Sequence, residues 1–290
     1  MTVIKTLRIG TQLTFQDHPK DNISDYLRAG LQLHKEIGFD AADFSTTLLD
    51  LASDAWKPAT EQVLVDAAEI GMPLAVCHLP FVKGGDPRPD AFWEEFRVRM
   101  LHAIEAAAIL NVECAVIHTN TGTLVMKDYR EAEQLDWVLR HIEPFAEHAA
   151  RLGVPLAVEN MPVVPGARVT HRFSQSAEEI CRVADTFDMG ICWDFGHANV
   201  SGVRPSEAIP YIGSRLKMVH VHDNCAMADE HNLPFTGTVD WKDAMGALAA
   251  VGFEGVFDLE VSPVRLPGPV RKAYAGLALE TARHLMTYLK

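Results

Sequence analysis

Six apolar runs of this 290-residue chain end on an imidazole or a carboxylate. They are Leu74-Ala75-Val76-Cys77-His78, Cys114-Ala115-Val116-Ile117-His118, Leu156-Ala157-Val158-Glu159, Gly190-Ile191-Cys192-Trp193-Asp194-Phe195-Gly196-His197, Met218-Val219-His220-Val221-His222-Asp223 and Val256-Phe257-Asp258-Leu259-Glu260. A polar group closing an apolar strand must be desolvated and then satisfied, so the repetition needs a reason. A mixed imidazole and carboxylate set suits a divalent ion, Mn, Co, Zn or Mg, rather than copper or an iron–sulfur centre. Taken singly, His78, His118 or His222 at a strand end is more often a hydrogen-bonded structural residue than a ligand. Glu159 and Glu260 are stronger candidates, because a carboxylate closing an apolar strand is costly unless paired or metal-bound. In Asp229-Glu230-His231 the two-residue spacing lets Asp229 and His231 project the same way from extended backbone, and His220 and His222 are likewise two apart.

These residues share one place only if the strands converge. Strand and helix patterns alternate from end to end. Strands are expected at Leu7–Gln12, Phe39–Ser45, Pro73–Leu79, Cys114–Thr119, Pro155–Glu159, Met189–Asp194, Lys217–Asp223 and Gly255–Val261. Helices are expected at Ile23–Gly38, Pro58–Ile70, Asp90–Leu110, Tyr129–Leu152, from Ser176 with Glu179 as a capping box, Pro205–Leu216, Asp240–Val251 and Gly268–Leu289. Eight strand–helix units without a linker or a break in composition fit a single-domain α/β protein over residues 1–290, a closed (β/α)8 TIM barrel. A doubly wound open sheet is the competing arrangement. It is disfavoured because no Gly-x-Gly-x-x-Gly follows the first strand and polar residues end nearly every strand. In a barrel those ends meet at one mouth.

Composition narrows the partners. Lys plus Arg number 26 against 39 Asp plus Glu, a net charge of −13, and no basic stripe offsets it. Such a field repels phosphate backbones, so nucleic acid is disfavoured. There is no apolar run of membrane-spanning length, and the N-terminal residues lack a signal-type core. The five cysteines include no Cys-x-x-Cys, which argues against a disulfide framework and makes the cytoplasm the default. Cys77, Cys114 and Cys192 fall in expected strands as small hydrophobes. His34, His102, His141, His148 and His284 fall in expected helices as surface or packing residues, and His171 has no assigned role. Phe15, Phe81, Trp93 and Trp193 fit core packing better than a pocket wall.

The chain resembles the sugar and sugar phosphate isomerase/epimerase families built on a xylose isomerase-like barrel, shared with endonuclease IV. The most specific part is VHVHDN at 219–224 followed by DEHNLPFTGTVDW at 229–241, and the segments ending in Glu159-Asn160, DFGH at 194–197 and Glu260 match as well. In ketose epimerases of this kind one divalent ion is held by Glu, Asp, His and Glu, which implies Glu159, Asp194, His220 and Glu260 here. The resemblance implies that a carbohydrate loses a proton beside its carbonyl, and that Glu159 and Glu260 act as the acid/base pair. His78, His118, His197, His222, Asp229 and His231 would then contact substrate. A homo-oligomer is allowed by the resemblance but has no separate sequence signal.

The same resemblance supplies a rival. Endonuclease IV-type phosphodiesterases hold three zinc ions with nine ligands, whose positional counterparts here are His78, His118, Glu159, Asp194, His197, His220, Asp229, His231 and Glu260. The acidic charge and the absence of wedge-like basic loops rank it second. A lyase acting on a keto-sugar or keto-glycoside would share the first proton abstraction, and a pure binding module is the weakest reading. For a substrate phosphate, Lys83 with Gly84-Gly85, Arg168, Arg172, Arg204 and Arg265 stand in the loops, where a solvated surface charge is the commoner role.

Overall fold

Strands that are apolar on both faces need helices outside and one another inside. The computed structural model describes residues 7–16, 22–82, 89–163, 166, 169–263 and 266–289, and in it the sheet closes completely. The chain runs β1 (Arg8–Gln12), α1 (Ile23–Ile37), β2 (Ala41–Ser45), α2 (Trp56–Ile70), β3 (Leu74–His78), α3 (Asp90–Leu110) and β4 (Cys114–Ile117). Next come β5 (Thr123–Val125), α4 (Glu131–Leu152), β6 (Leu156–Glu159), β7 (Thr170–Arg172), α5 (Ala177–Phe187) and β8 (Gly190–Asp194). The last third is α6 (Phe195–Val200), α7 (Pro205–Ile212), β9 (Leu216–Val221), α8 (Trp241–Ala250), β10 (Val256–Leu259) and α9 (Gly268–Met286). The barrel order is β1-β10-β9-β8-β6-β4-β3-β2 with every pairing parallel, the expected (β/α)8 architecture.

The two-residue alternation of the strands builds the site. Val116, Ala157, Cys192, Met218 and Val256 belong to one small buried cluster that plugs the barrel interior. Ile117, Val158, Trp193, Val219 and Phe257 point outward into the main core against the helices. Two residues beyond the plug, on the same faces, stand His118, Glu159, Asp194, His220 and Asp258. The apolar plug is therefore the floor on which the polar layer rests. Cys77, Cys114, Cys181 and Cys192 are buried free thiols, and Cys225 is exposed.

Several elements differ from expectation at their ends. β4 stops at Ile117, β9 at Val221 and β10 at Leu259, so His118, His222 and Glu260 sit just past the ladders where side chains can turn inward. α7 stops at Ile212 rather than Leu216, because Gly213 turns the chain into a 3-10 segment and Leu216 opens β9. Gly71 and Gly153 end α2 and α4 in the left-handed conformation, as their positions led us to expect. The capping box of α5 is only half formed. The Ser176 side chain accepts from Glu179 N, but Glu179 turns its own carboxylate to Ser174 N, His171 and Tyr129. An antiparallel two-strand ribbon, β5 with β7, lies outside the barrel and was not expected. Among the described residues, no helix is long and apolar enough to cross a membrane.

His34 packs edge-on against Phe15 and Phe39, with ring centroids 5.9 and 5.3 Å away. Burial pulls its pKa down to about 3, so the ring is neutral in the fold. The unfolded chain binds this proton below about pH 6.5. Stability is therefore full above pH 6.5 and is lost progressively as pH falls toward 3. Denaturant titrations of wild type and His34→Leu at pH 7.5 and 5 should show a smaller acid loss in the variant, by about 2 kcal/mol. Equal losses in both proteins would refute this assignment.

Candidate metal and active site

Glu159 is the hub. Its Oε1 lies 2.9 Å from His220 Nδ1 and 3.5 Å from His197 Nδ1, and its Oε2 lies 2.7 Å from His118 Nε2 and 3.8 Å from His78 Nε2. Among the described residues this buried oxygen accepts no hydrogen bond of good geometry, His118 Nε2 being its nearest polar neighbour. A buried carboxylate oxygen left over among converging imidazoles suits a shared cation. Burial by itself would push the Glu159 carboxyl up, but His220 and His118 outweigh it and hold it well below the usual range. His118 stays below the ordinary histidine value because burial dominates there.

Glu159, Asp194, His220 and Glu260 each offer a ligand atom, all within 4.8 Å of one another. His220 Nδ1 is 3.4 Å from Glu260 Oε2 and 3.9 Å from Asp194 Oδ2. Two further groups flank this set, His78 with His118 and Glu159, and His197 with His222, Asp229 and His231. All ten residues singled out in the sequence thus gather at the same end of the barrel. Their exposure differs. Glu159, Glu260, His78, His118, His197, Asp229 and His231 line a cavity of about 300 Å3, whereas Asp194, His220 and His222 are fully buried beneath it.

Three histidines share the arrangement expected of metal ligands, one ring nitrogen tied back and the other presented inward. The tied-back Nδ1 of His78 lies 3.0 Å from Asp43 Oδ2, that of His197 lies 2.7 Å from the Asn160 carbonyl, and that of His231 lies 2.8 Å from the Glu260 carbonyl. Their Nε2 atoms face Glu159, Asp229 and Asp229 at 3.8, 3.4 and 3.3 Å. This geometry fits divalent ions. His231 is pushed up to about 10 because Asp229 and the other acids overcome its burial.

The supports are local. Asp194 caps α6, its Oδ1 accepting from His197 N at 2.6 Å, so one carboxylate fixes the start of the helix that carries His197. Asn160 brackets the same strand end, accepting from Asp194 N and donating to its carbonyl. At Gly196 a Cβ would run into the His222 ring, so only glycine fits there. Asp223 anchors the loop bearing Asp229 and His231. Its carboxylate accepts from Asn224 N, Phe235 N, Val239 N and Trp241 Nε1 at 2.9 to 3.1 Å.

Sequence reasoning missed Asp43, Asn160, Asp223 and Asp258. The alternation signal was present for Asp258, two residues before Glu260. Its buried carboxyl lies against Gly10, has no hydrogen-bond partner among the described residues, and is pushed well up by burial and then by Asp43. Of the loop cations, Arg172 lines the cavity, while Arg204 is exposed beside Glu207. Lys83, Gly84, Gly85, Arg168 and Arg265 lie outside the described residues. Phe81 also lines the cavity, 4.7 Å from the His118 ring, against the core-packing expectation. Phe15 and Trp193 are core residues, and Trp93 packs against Trp137 and His141 between helices. His171, left without a role, holds Glu179 at 2.7 Å.

The model of the xylose isomerase-like TIM barrel family matches residues 31–285, and the chain belongs to that family. Two curated relatives are uncharacterised proteins. MJ1311 of Methanocaldococcus jannaschii is 32% identical over 66% of this chain and 65% of its own length. The protein y4fM of Sinorhizobium fredii is 26% identical over 54% of this chain and 50% of its own. The chain thus spans about two-thirds and half of these relatives. Similar solved folds include a D-allulose 3-epimerase from Methylomonas sp., with TM-score 0.75 and 17% identity over 96% of this chain and 98% of that one. A 3-keto-D-glucoside 4-epimerase from E. coli gives 0.71 and 18%, covering 96% and 100%. A D-tagatose 3-epimerase-like protein gives 0.68 and 20%, covering 96% and 99%.

Proposed function

We propose that this protein is a divalent-metal-dependent isomerase or epimerase of a small carbohydrate, working by proton transfer at a carbon beside a carbonyl. The observation that carries the reading is the meeting of Glu159, Asp194, His220 and Glu260 within 4.8 Å under a cavity of about 300 Å3. That volume is at the small end of ligand sites and suits a single sugar rather than a polymer. The barrel likeness to ketose 3-epimerases supports the same reading through those proteins' own substrates.

Glu159, Asp194, His220 and Glu260 would hold one Mn, Co, Mg or Zn ion. A divalent ion bound there supplies Lewis-acid stabilisation to an enediolate. The remaining chemistry belongs to the side chains. Glu159 and Glu260 both reach the cavity and exchange the proton, while His78, His118, His197, Asp229 and His231 orient hydroxyl groups from the walls. Phe81 offers an aromatic face at the entrance. His222, behind Asp194, steadies it at 3.1 Å rather than meeting substrate.

A second reading, a three-ion phosphodiesterase, is favoured by one observation, the two extra donor groups around His78–His118 and His197–Asp229–His231. Elemental analysis of protein purified without chelator separates the two. About one divalent ion per chain is expected, with activity toward ketoses lost on chelation and restored by Mn or Co. A content near three zinc ions, with phosphodiester cleavage, would overturn the proposal.

A further inference from the structure

We infer that Arg172 is an oxyanion anchor, so that the substrate carries a phosphate or carboxylate group; this rests on the carbohydrate reading above. Arg172 ends β7, the second strand of the ribbon, where it pairs in register with Thr123. Its backbone N donates to Gln175 Oε1 at 3.0 Å and its carbonyl accepts from Gln175 N at 3.2 Å. Its Nε donates to the Thr121 carbonyl at 2.9 Å. These bonds fix the stem and the guanidinium plane. The two Nη groups make no hydrogen bond and no ion pair within 4 Å among the described residues, yet the side chain lines the cavity beside Glu159, Met161 and Pro162.

A structural arginine in a partly buried place has most of its donors satisfied by neighbouring protein groups. This one spends its Nε on a carbonyl and leaves both Nη groups without a hydrogen bond among the described residues, in a side chain at the cavity wall. Glu159 and Asp229 are near enough to favour its charge but do not bond it, and burial is the larger influence, drawing its pKa down to about 10. The guanidinium is therefore charged at neutral pH, pre-positioned, and available for a bidentate contact. Among the described lining residues it is the only arginine or lysine, so it is the one guanidinium or ammonium group there that an anionic group could pair with. The ribbon explains itself on this reading. Two three-residue strands outside the barrel contribute nothing to its closure, but they deliver this side chain to the mouth.

The test compares wild type, Arg172→Met and Arg172→Lys, with exposed Arg204→Met as control. Solvent deuterium exchange is followed for a neutral ketohexose, its terminal phosphate ester and its terminal carboxylate. One anionic series should be preferred by wild type, which tells phosphate from carboxylate. Arg172→Met should lower kcat/KM for that series on the order of a hundredfold, mostly in KM, and leave the neutral ketose within about threefold. Arg172→Lys should recover part of the loss. Equal losses on neutral and anionic sugars would mean that Arg172 merely balances Glu159 and Asp229, and would overturn the inference. Calorimetry with inorganic phosphate and with acetate gives an independent arm, in which at least one ion should bind about tenfold or more weaker to Arg172→Met. Unchanged binding of both overturns the inference whatever the turnover. If no ketose exchanges but anion binding still depends on Arg172, the anchor stands and the isomerase reading falls.

Discussion

Replacing Glu159 by Gln should remove both the bound metal and the activity, with turnover of the exchanging ketose falling by about four orders of magnitude. The size follows from two losses at one residue. A general acid/base is worth about 10²–10⁴ in rate, and an electrostatic stabiliser of the oxyanion about 10²–10³. Glu159 is the one residue common to the His78–His118 group and the Asp194–His220–Glu260 group. Its neighbours depend on it. Glu159 is the largest influence raising His220, which reaches about 9 against its burial. The amide is nearly isosteric but cannot carry that charge, so His220 loses the partner that keeps it protonated when no metal is present. The fold should survive, because the site rests on a plug of Ala157, Cys192, Met218 and Val256 that Glu159 does not complete. Circular dichroism should be unchanged, while the melting temperature without metal should fall, since removing one partner of a buried charge pair costs about 3–5 kcal/mol. Metal content is read by elemental analysis. A Glu159→Gln protein that kept one ion and a tenth of its activity would place the hub elsewhere.

The part of this site written in the sequence is the part that follows strand periodicity. Ala157 and Glu159, Cys192 and Asp194, Met218 and His220 are each two residues apart, so an apolar interior position fixes where the next polar side chain points. Once eight such strands close, convergence is a matter of geometry, and His78, His118, Glu159, Asp194, His220 and Glu260 meet as expected. What was hidden depends on partners distant in the chain. Asp43, in Ala41-Ala42-Asp43-Phe44-Ser45, gives no local sign that it orients His78, 35 residues on. Asp223 reads as the end of a strand, yet its value lies in collecting donors from a loop that closes at Trp241. Arg172 looked like any loop cation, because β5 and β7 are three residues each and only their mutual pairing makes them strands. Glu179 shows the same limit. The capping pattern Ser176–Glu179 is correct for the helix start, but Tyr129 and His171 compete for the carboxylate and win.

Replacing Glu260 by Gln should separate proton transfer from metal binding, which Glu159 cannot do. Glu260 stands one residue beyond β10, and its side chain is 14% exposed where that of Glu159 is 1%. It is held by Gln12, whose Nε2 donates to Oε1 at 2.6 Å, and its Oε2 stays near His220. Three of the four ligands remain in the variant and Gln still offers an amide oxygen, so metal affinity should fall rather than vanish, and saturating Mn should refill the site. Turnover at saturating metal should nevertheless drop by about 10³, the worth of one acid/base group. The diagnostic is asymmetry. If Glu159 and Glu260 work on opposite faces of the sugar carbon, the variant keeps one of them. The epimer whose proton faces Glu159 should still exchange with deuterated solvent at a measurable rate, while its partner exchanges no faster than the uncatalysed sugar and neither converts to the other. Loss of exchange from both epimers at full metal occupancy would mean that Glu260 does not serve one face of the sugar alone. Full turnover with metal bound would remove it from proton transfer altogether.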